Sequence, residues 1–211
     1  MGQFSDGGEW WWDGKTWVPT TQVVLPHLPP TEFEQSGKLN NARGRMRKSQ
    51  RLSWANTFAP LAWLTGVPYL VVMVQALRDY RSWTIEQLAL ATAYLLGPHE
   101  PMLAGEGTVL GSDVPGKPWT RDLAVAVTAR HVLVFRIDSL DGQPRWIALA
   151  GRTRDVKIEL LTGTEALRLG PGLTVSFGSG MWTIRGIWGV FKAEPVLDAW
   201  RQAAIATGNT G

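Results

Sequence analysis

The stretch Leu52–Leu77, LSWANTFAPLAWLTGVPYLVVMVQAL, runs for 26 residues without a charged side chain in a chain of 211 residues. Five cations precede it: Arg43, Arg45, Arg47, Lys48 and Arg51. A transmembrane helix needs about 20 mostly apolar residues, and Phe58–Leu77 supplies that length. The stretch therefore predicts a membrane-associated helical segment over residues 52–81.

The same stretch is compatible with two other structures. Pro60, Gly66 and Pro68 interrupt the helix, and such breaks are tolerated in membranes when neighbouring groups satisfy the freed carbonyls. They also allow a re-entrant hairpin that bends at residues 65–68, and the all-round hydrophobicity fits a helix in a soluble core. The excess of cations before the stretch favours a spanning helix with a cytoplasmic N-terminus. The side on which the C-terminal part lies stays open.

The basic segment RGRMRKSQR, residues 43–51, has three candidate roles. Each cation contributes about 1 kcal/mol near an anionic leaflet, so the segment can hold lipid headgroups. It can also be a solvated cluster, or bind nucleic acid. The net charge of +3 is small, and no aromatic residues are interleaved with the cations, as single-strand binding would require. We therefore predict membrane-flanking cations and no nucleic-acid partner.

The basic segment is the last part of a linker, residues 20–51. The first part of this linker, residues 20–42, is polar and rich in proline, which predicts an extended or partly disordered tether. The chain contains no cysteine, which excludes disulfides, thiol nucleophiles and Cys-ligated metals. We expect no metal site and no cofactor.

The N-terminal sequence GEWWWDGKTWVP, residues 8–19, predicts a β-hairpin within a Trp-rich segment that covers residues 1–19. Asp-Gly between β-prone residues is a strong hairpin signal, because a type I′ turn needs positive φ at both central positions. An isolated hairpin is marginal in water, so we expect it to dock. It either packs against the main domain as an aromatic ribbon, or presents a surface to a Pro-rich peptide or another subunit.

A two-residue loop in this hairpin places Trp10 opposite Trp17. Alternation then puts Trp10, Trp12, Lys15 and Trp17 on one face and Trp11 on the other. We predict that Trp10, Trp12 and Trp17 contact a lipid or a protein partner.

The segment SDGGEWWWDGKTWVP resembles the short W-W-D-G-x-x-W module at the N-termini of many bacterial membrane proteins. That module is commonly followed by a basic linker and a transmembrane segment, which is the order found here. The resemblance implies a location in the bacterial cell membrane. It implies no activity.

Two further regions follow the apolar stretch. Residues 82–98 predict an amphipathic connector helix that is capped by Ser82 and ends at Gly97-Pro98. Residues 99–211 contain short apolar runs every 8–12 residues, which is typical of an antiparallel sheet or barrel. A helix is predicted near residues 194–205, with Pro195 in its first turn.

The arrangement of about seven strands and one helix resembles bacterial pleckstrin-homology-like (PH-like) and GRAM-type domains. The similarity is carried by PMLAG (101–105), by VTARHVLVFR (127–136) and by LTVSFGSGMWTIRG before the helix, although His131 occupies the family's arginine position. It implies an α+β fold: an antiparallel β-barrel or sandwich closed by the C-terminal helix. The implied lipid- or partner-contact residues are those of the loop between the first two strands: Lys117, Trp119 and Arg121.

Catalytic motifs are not apparent in the sequence. The three histidines are scattered, and no zinc-protease signature or phosphate-binding glycine loop is present. We therefore expect a non-enzymatic membrane-associated adaptor or accessory subunit without a small-molecule substrate, which binds membrane lipid or a membrane protein complex. The alternative is a soluble structural subunit whose apolar segment is buried against the partners of a larger assembly.

Overall fold

The computed structural model describes residues 3–5, 8–29, 35–38, 40–41, 44, 62–107, 112–114, 117–137, 143–163, 170–186 and 190–208, with only the backbone described for 62–70 and 112–122. The chain forms two compact units. One comprises Met1–Leu28 with Thr84–Gly211, and the other comprises Pro29–Trp83.

The first unit contains the strands of three antiparallel sheets and the C-terminal helix. The strands are β1 (Gln3–Phe4), β2 (Trp10–Trp12), β3 (Trp17–Pro19), β4 (Ala104–Gly107), β5 (Ser112–Val114), β6 (Lys117–Val127), β7 (His131–Ile137), β8 (Pro144–Arg152), β9 (Lys157–Leu160), β10 (Gly172–Phe177) and β11 (Gly180–Arg185). The helices are α1 (Ala62–Leu96) and α2 (Glu194–Ala206), and a 3₁₀ turn covers Thr20–Gln22.

The strand pairing contradicts the predicted PH-like barrel. The orders are β1-β2-β3, β4-β6-β7-β8 with β5 also paired to β6, and β9-β10-β11. Among the described residues no strand joins these sheets into a closed barrel. At the β8 edge, Val24 forms an isolated bridge with Trp146. The fold is mostly β, with three small sheets, and the α+β barrel prediction is wrong.

The central sheet, β4-β6-β7-β8, is buried on both faces. One face packs with β9-β10-β11 and α2, and its buried side chains from the central strands are Leu123, Val125, Val127, Val132, Val134 and Leu149. The other face packs with the end of α1 and the N-terminal residues, and its side chains are Ala124, Ala126, Leu133, Phe135, Ile137, Ile147 and Ala150. When a sheet is covered on both sides, the sequences of its strands are nearly continuous apolar runs, as in DLAVAVT.

Helix α2 confirms the helix predicted near the C-terminus. Pro195 lies in its first turn, where its missing N–H costs no hydrogen bond. Val196 and Leu197 are buried in the core. The indole N–H of Trp200 donates to the carbonyls of Thr153 and Val156, at 3.2 and 3.0 Å.

Helix α1 contradicts the predicted transmembrane segment. It continues from Ala62 to Leu96, so the charged residues Arg78, Asp79 and Arg81 lie in its middle. No helix in the part of the chain that the structure describes has an 18-residue stretch apolar enough to cross a membrane. The predictions of a transmembrane helix and of a location in the cell membrane are therefore wrong. Residues 52–61 lie outside the described part.

The connector predicted for residues 82–98 is the last part of α1. Ser82 is inside the helix, where its hydroxyl donates to the carbonyl of Arg78 at 3.2 Å. The predicted end is confirmed, because Gly97 has a φ of +80° and its N–H bonds to the carbonyl of Ala93.

Residues 20–28, here called the N-terminal strap, lie along β8. Val23, Leu25 and Leu28 are buried, and the N–H of Leu25 donates to the carbonyl of Arg145 at 2.7 Å. The tether interpretation fails for these residues, because alternate side chains of the strap enter the core.

Candidate functional site

The turn of the N-terminal hairpin is built around the carboxylate of Asp13. Its Oδ1 accepts the backbone N–H groups of Lys15 and Thr16, both at 2.7 Å. Hydrogen bonds from Thr16 and then Lys15 hold the pKa of Asp13 below its ordinary value, so this exposed carboxylate is ionised at neutral pH. The loop therefore contains residues 13–16 and is longer than the predicted two-residue turn.

The longer loop changes the predicted register. Trp12 lies opposite Trp17, and Trp10 lies opposite Pro19. The rings of Trp12 and Trp17 have centroids 5.5 Å apart and are tilted by 53°, a favourable arrangement for two aromatic rings. Trp10 and Trp17 remain 46% and 48% exposed. We call Trp10, Trp12 and Trp17 the tryptophan face.

The opposite side of this small sheet fixes the direction of the tryptophan face. Phe4, Trp11 and Val18 pack against the core below, as alternation requires for residues on the inner side. The buried hydroxyl of Thr20 donates to the carbonyls of Gly8 and Glu9, at 2.8 and 2.7 Å. The hairpin is therefore docked, and its outer tryptophans point to solvent.

The other predicted contact residues lie on a strand and not in the predicted loop. Lys117, Trp119 and Arg121 lie on strand β6, with Lys117 opposite Val114 and Arg121 opposite Ser112. The expected binding loop is thus an extension of the central sheet. The predicted membrane-flanking cations Arg43, Arg45, Arg47, Lys48 and Arg51 lie outside the described residues.

A histidine–carboxylate pair lies at one end of the central sheet. The Nδ1–H of His131 donates to Glu100 Oε1 at 2.8 Å, and the Thr128 hydroxyl also donates to this oxygen. Burial raises the pKa of Glu100, but the hydrogen bonds from His131 and Thr128 outweigh it and leave the pKa below its usual value. Glu100 is therefore a carboxylate at neutral pH.

This pair has the base–orienter arrangement that hydrolases use. In the described part of the chain, no hydroxyl hydrogen-bonds to the second ring nitrogen of His131. The nearby Ser5 hydroxyl instead accepts the N–H of Trp10 at 3.1 Å. Within the same residues, no group of three or more His, Asp or Glu side chains is placed to hold a metal ion.

Comparison with protein-family models and with curated proteins finds no match for this chain.

The histidine–carboxylate pair was missed by the sequence analysis because its members are 31 residues apart. In the sequence, His131 is marked only as a departure from the arginine of the PH-like pattern, and Glu100 is not singled out. No motif joins them. They meet because the turn at Thr128 returns the chain to the end of the sheet.

Proposed function

We propose that this protein is a non-enzymatic adaptor or accessory subunit that holds a partner protein through the tryptophan face. The observation that carries the proposal is the exposure of Trp10 and Trp17 on a sheet whose other side is anchored in the core. Tryptophan is the residue type most enriched among the few side chains that dominate binding at protein interfaces. Placing it at the surface of a docked sheet gives contact area at little cost in conformational entropy.

The partner segment that best suits this face is a proline-rich peptide in the polyproline II conformation. Such peptides bind aromatic-lined grooves, because the preformed helix loses little entropy on binding. The tilted pair Trp12–Trp17 provides two adjacent ring surfaces for successive prolines. The ionised Asp13 and the exposed Glu9 flank the face, which favours a basic residue beside the prolines.

Binding of a labelled peptide tests this proposal. The probe is a fluorescent ten-residue proline peptide that ends in arginine, titrated with the full-length protein and followed by anisotropy. We expect Trp17→Ala to weaken binding at least tenfold, the size expected for an interface residue that dominates binding. The control is Trp146→Ala, which removes another exposed tryptophan that is not part of the face.

Three results would overturn the proposal. One is no peptide binding at millimolar protein. Another is an equal loss in the Trp17 and Trp146 variants. The third is sedimentation that shows a dimer dissociated by Trp17→Ala while the peptide does not bind, since the face would then bind a second copy of the chain.

A further inference from the structure

A basic cleft lies at the end of the central sheet, and none of Trp10, Trp12 and Trp17 lines it. Its cavity volume is about 570 Å³, and its lining includes Arg130, His131, Arg152 and Arg154 together with Phe4. This volume is in the range of small-molecule sites, about 300–1,000 Å³.

Strand pairing brings the basic residues of the cleft together. His131 and Arg152 are directly opposite on β7 and β8, so their side chains leave the same side of the sheet. Arg130 precedes β7, and Arg154 lies in the turn after β8. The sequence separation between the two sides exceeds 20 residues, which explains why no local motif marks the cleft.

Hydrogen bonds fix the backbone on both sides of the cleft. The Thr128 hydroxyl accepts the N–H of His131 at 2.9 Å, and the N–H of Thr153 donates to the carbonyl of Arg130 at 2.8 Å. The two turns that carry the arginines are thus joined to each other. A rigid frame of this kind reduces the entropy lost when a ligand is held.

The charge of the lining is positive. It holds three guanidinium groups and the carboxylate of Glu100, which gives +2 when the imidazole is neutral. Arg154 Nε is 3.6 Å from Asp155 Oδ1, but both side chains are about half exposed, so this pair is weak in water. Glu100 is directed to His131 and Thr128.

We propose that the cleft binds the phosphate monoester group of a small organic compound. A phosphate monoester is close to a dianion at neutral pH, and the three arginines in the lining attract such an anion. Guanidinium groups bind phosphate oxygens with paired, charge-assisted hydrogen bonds. Phe4 and Leu96, which also line the cleft, provide an apolar side for the organic part of the ligand.

Calorimetric titration of the full-length protein tests this inference. Phenyl phosphate is the probe, phenyl sulfate is a monoanion of the same shape, and inorganic phosphate lacks the apolar part. We expect phenyl phosphate to bind at least tenfold more tightly than either of the other two. Equal affinity for phenyl sulfate would overturn the role of charge, and equal affinity for inorganic phosphate would overturn the organic ligand.

Matched arginine variants locate the binding. Arg130→Gln and Arg152→Gln should each weaken phenyl phosphate binding about tenfold or more, as expected for the loss of a hydrogen bond to a charged group. Arg201→Gln, on the exposed side of α2 and outside the lining, should leave the affinity unchanged. Thermal unfolding of each variant shows whether it is folded, and Arg130 is exposed enough for its variant to fold.

Three outcomes contradict the proposal. The first is no phenyl phosphate binding at millimolar concentration. The second is equal binding by the three arginine variants. The third is a phosphotyrosine peptide that binds far more tightly than phenyl phosphate, since the ligand would then be a phosphorylated protein. Trp17→Ala should not affect any of these titrations, which separates this site from the tryptophan face.

Discussion

At the scale of single residues, the carboxylate of Glu100 links pH to stability. Its pKa lies below the ordinary value of 4.5 because the bonds from His131 and Thr128 outweigh the effect of burial. A carboxyl with a lowered folded-state pKa stabilises the fold above its unfolded-state pKa, and this contribution is lost as the pH falls through the folded-state value. The stabilisation should therefore be present at neutral pH and disappear in acid.

We expect Glu100→Gln to lower the free energy of unfolding at pH 7 by about 1–3 kcal/mol, because charge-assisted hydrogen bonds are weakened. Denaturant unfolding at a series of pH values measures the difference from the native chain. The difference should shrink below about pH 4.5, the ordinary pKa of a glutamate. A difference that is constant from pH 3 to pH 7 would show that the charge of Glu100 is unimportant.

At the scale of elements, a single glycine determines how the N-terminal sheet docks on β8. Gly8 has a φ of +69°, and a Cβ built there would lie 1.6 Å from the carbonyl oxygen of Ala150. Gly14 also has a positive φ, but nothing lies within 4 Å of its Cβ position. The left-handed backbone alone costs a non-glycine residue about 1–2 kcal/mol, and Gly8 carries a clash in addition.

Gly8→Ala should therefore destabilise the protein clearly more than Gly14→Ala does. Urea unfolding followed by tryptophan fluorescence measures both variants. We expect a cost of about 1–2 kcal/mol for Gly14→Ala, and a larger cost for Gly8→Ala because the sheet must move away from β8. Equal costs would mean that the sheet is not held at this contact.

The helices show which element boundaries the sequence can predict. The sequence Gly97-Pro98 predicted the end of α1, because glycine readily adopts the positive φ at which many helices end. The continuity of the helix through Ser82 was not predicted, because the charged residues after Leu77 suggested a boundary there. No proline or glycine lies between residues 69 and 96, and the helix continues. Ser82 has the chemistry of a cap, but its hydroxyl bonds to the preceding turn, as serine does inside helices.

The central sheet explains the error in the fold class. DLAVAVT and HVLVFRI contain few polar residues between Leu123 and Ile137, which indicates strands buried on both faces. Spacing and turn signals alone suggested a barrel or sandwich. Which strands pair, and whether the sheets close, depends on contacts between distant residues that no local pattern records.

At the scale of the whole molecule, residues from the Trp-rich segment and from the predicted tether complete the core. Phe4, Val23, Leu25 and Leu28 are each less than 10% exposed. In the strap, buried residues alternate with the exposed Val24 and Pro26. Because these exposed residues are apolar or proline, the sequence does not show the alternation of apolar and polar residues that marks a half-buried strand. The basic cleft was hidden for a related reason, because its lining residues come from five separate segments of the chain.

The burial of Phe4 and of the strap predicts a large effect of removing residues 1–28. Fully burying an aliphatic or phenylalanine side chain contributes about 1.5–3 kcal/mol, so these four residues together contribute about 6–12 kcal/mol. The whole stability of a domain is about 5–15 kcal/mol. A chain that begins at Pro29 should therefore fail to unfold cooperatively, as measured by calorimetry or by near-ultraviolet circular dichroism.

Two adjacent residues of the strap separate the effect of side-chain burial from that of the backbone hydrogen bonds to β8. Leu25 is 2% exposed and Val24 is 64% exposed, although both lie on the same segment beside β8. Leu25→Ala should lower the free energy of unfolding by about 2–5 kcal/mol, as for a leucine removed from a packed core, and Val24→Ala by less than about 0.5 kcal/mol. Similar values for the two variants would show that the strap is held by its backbone bonds to β8 and not by its side chains. In that case removal of residues 1–28 would leave the rest of the domain able to unfold cooperatively.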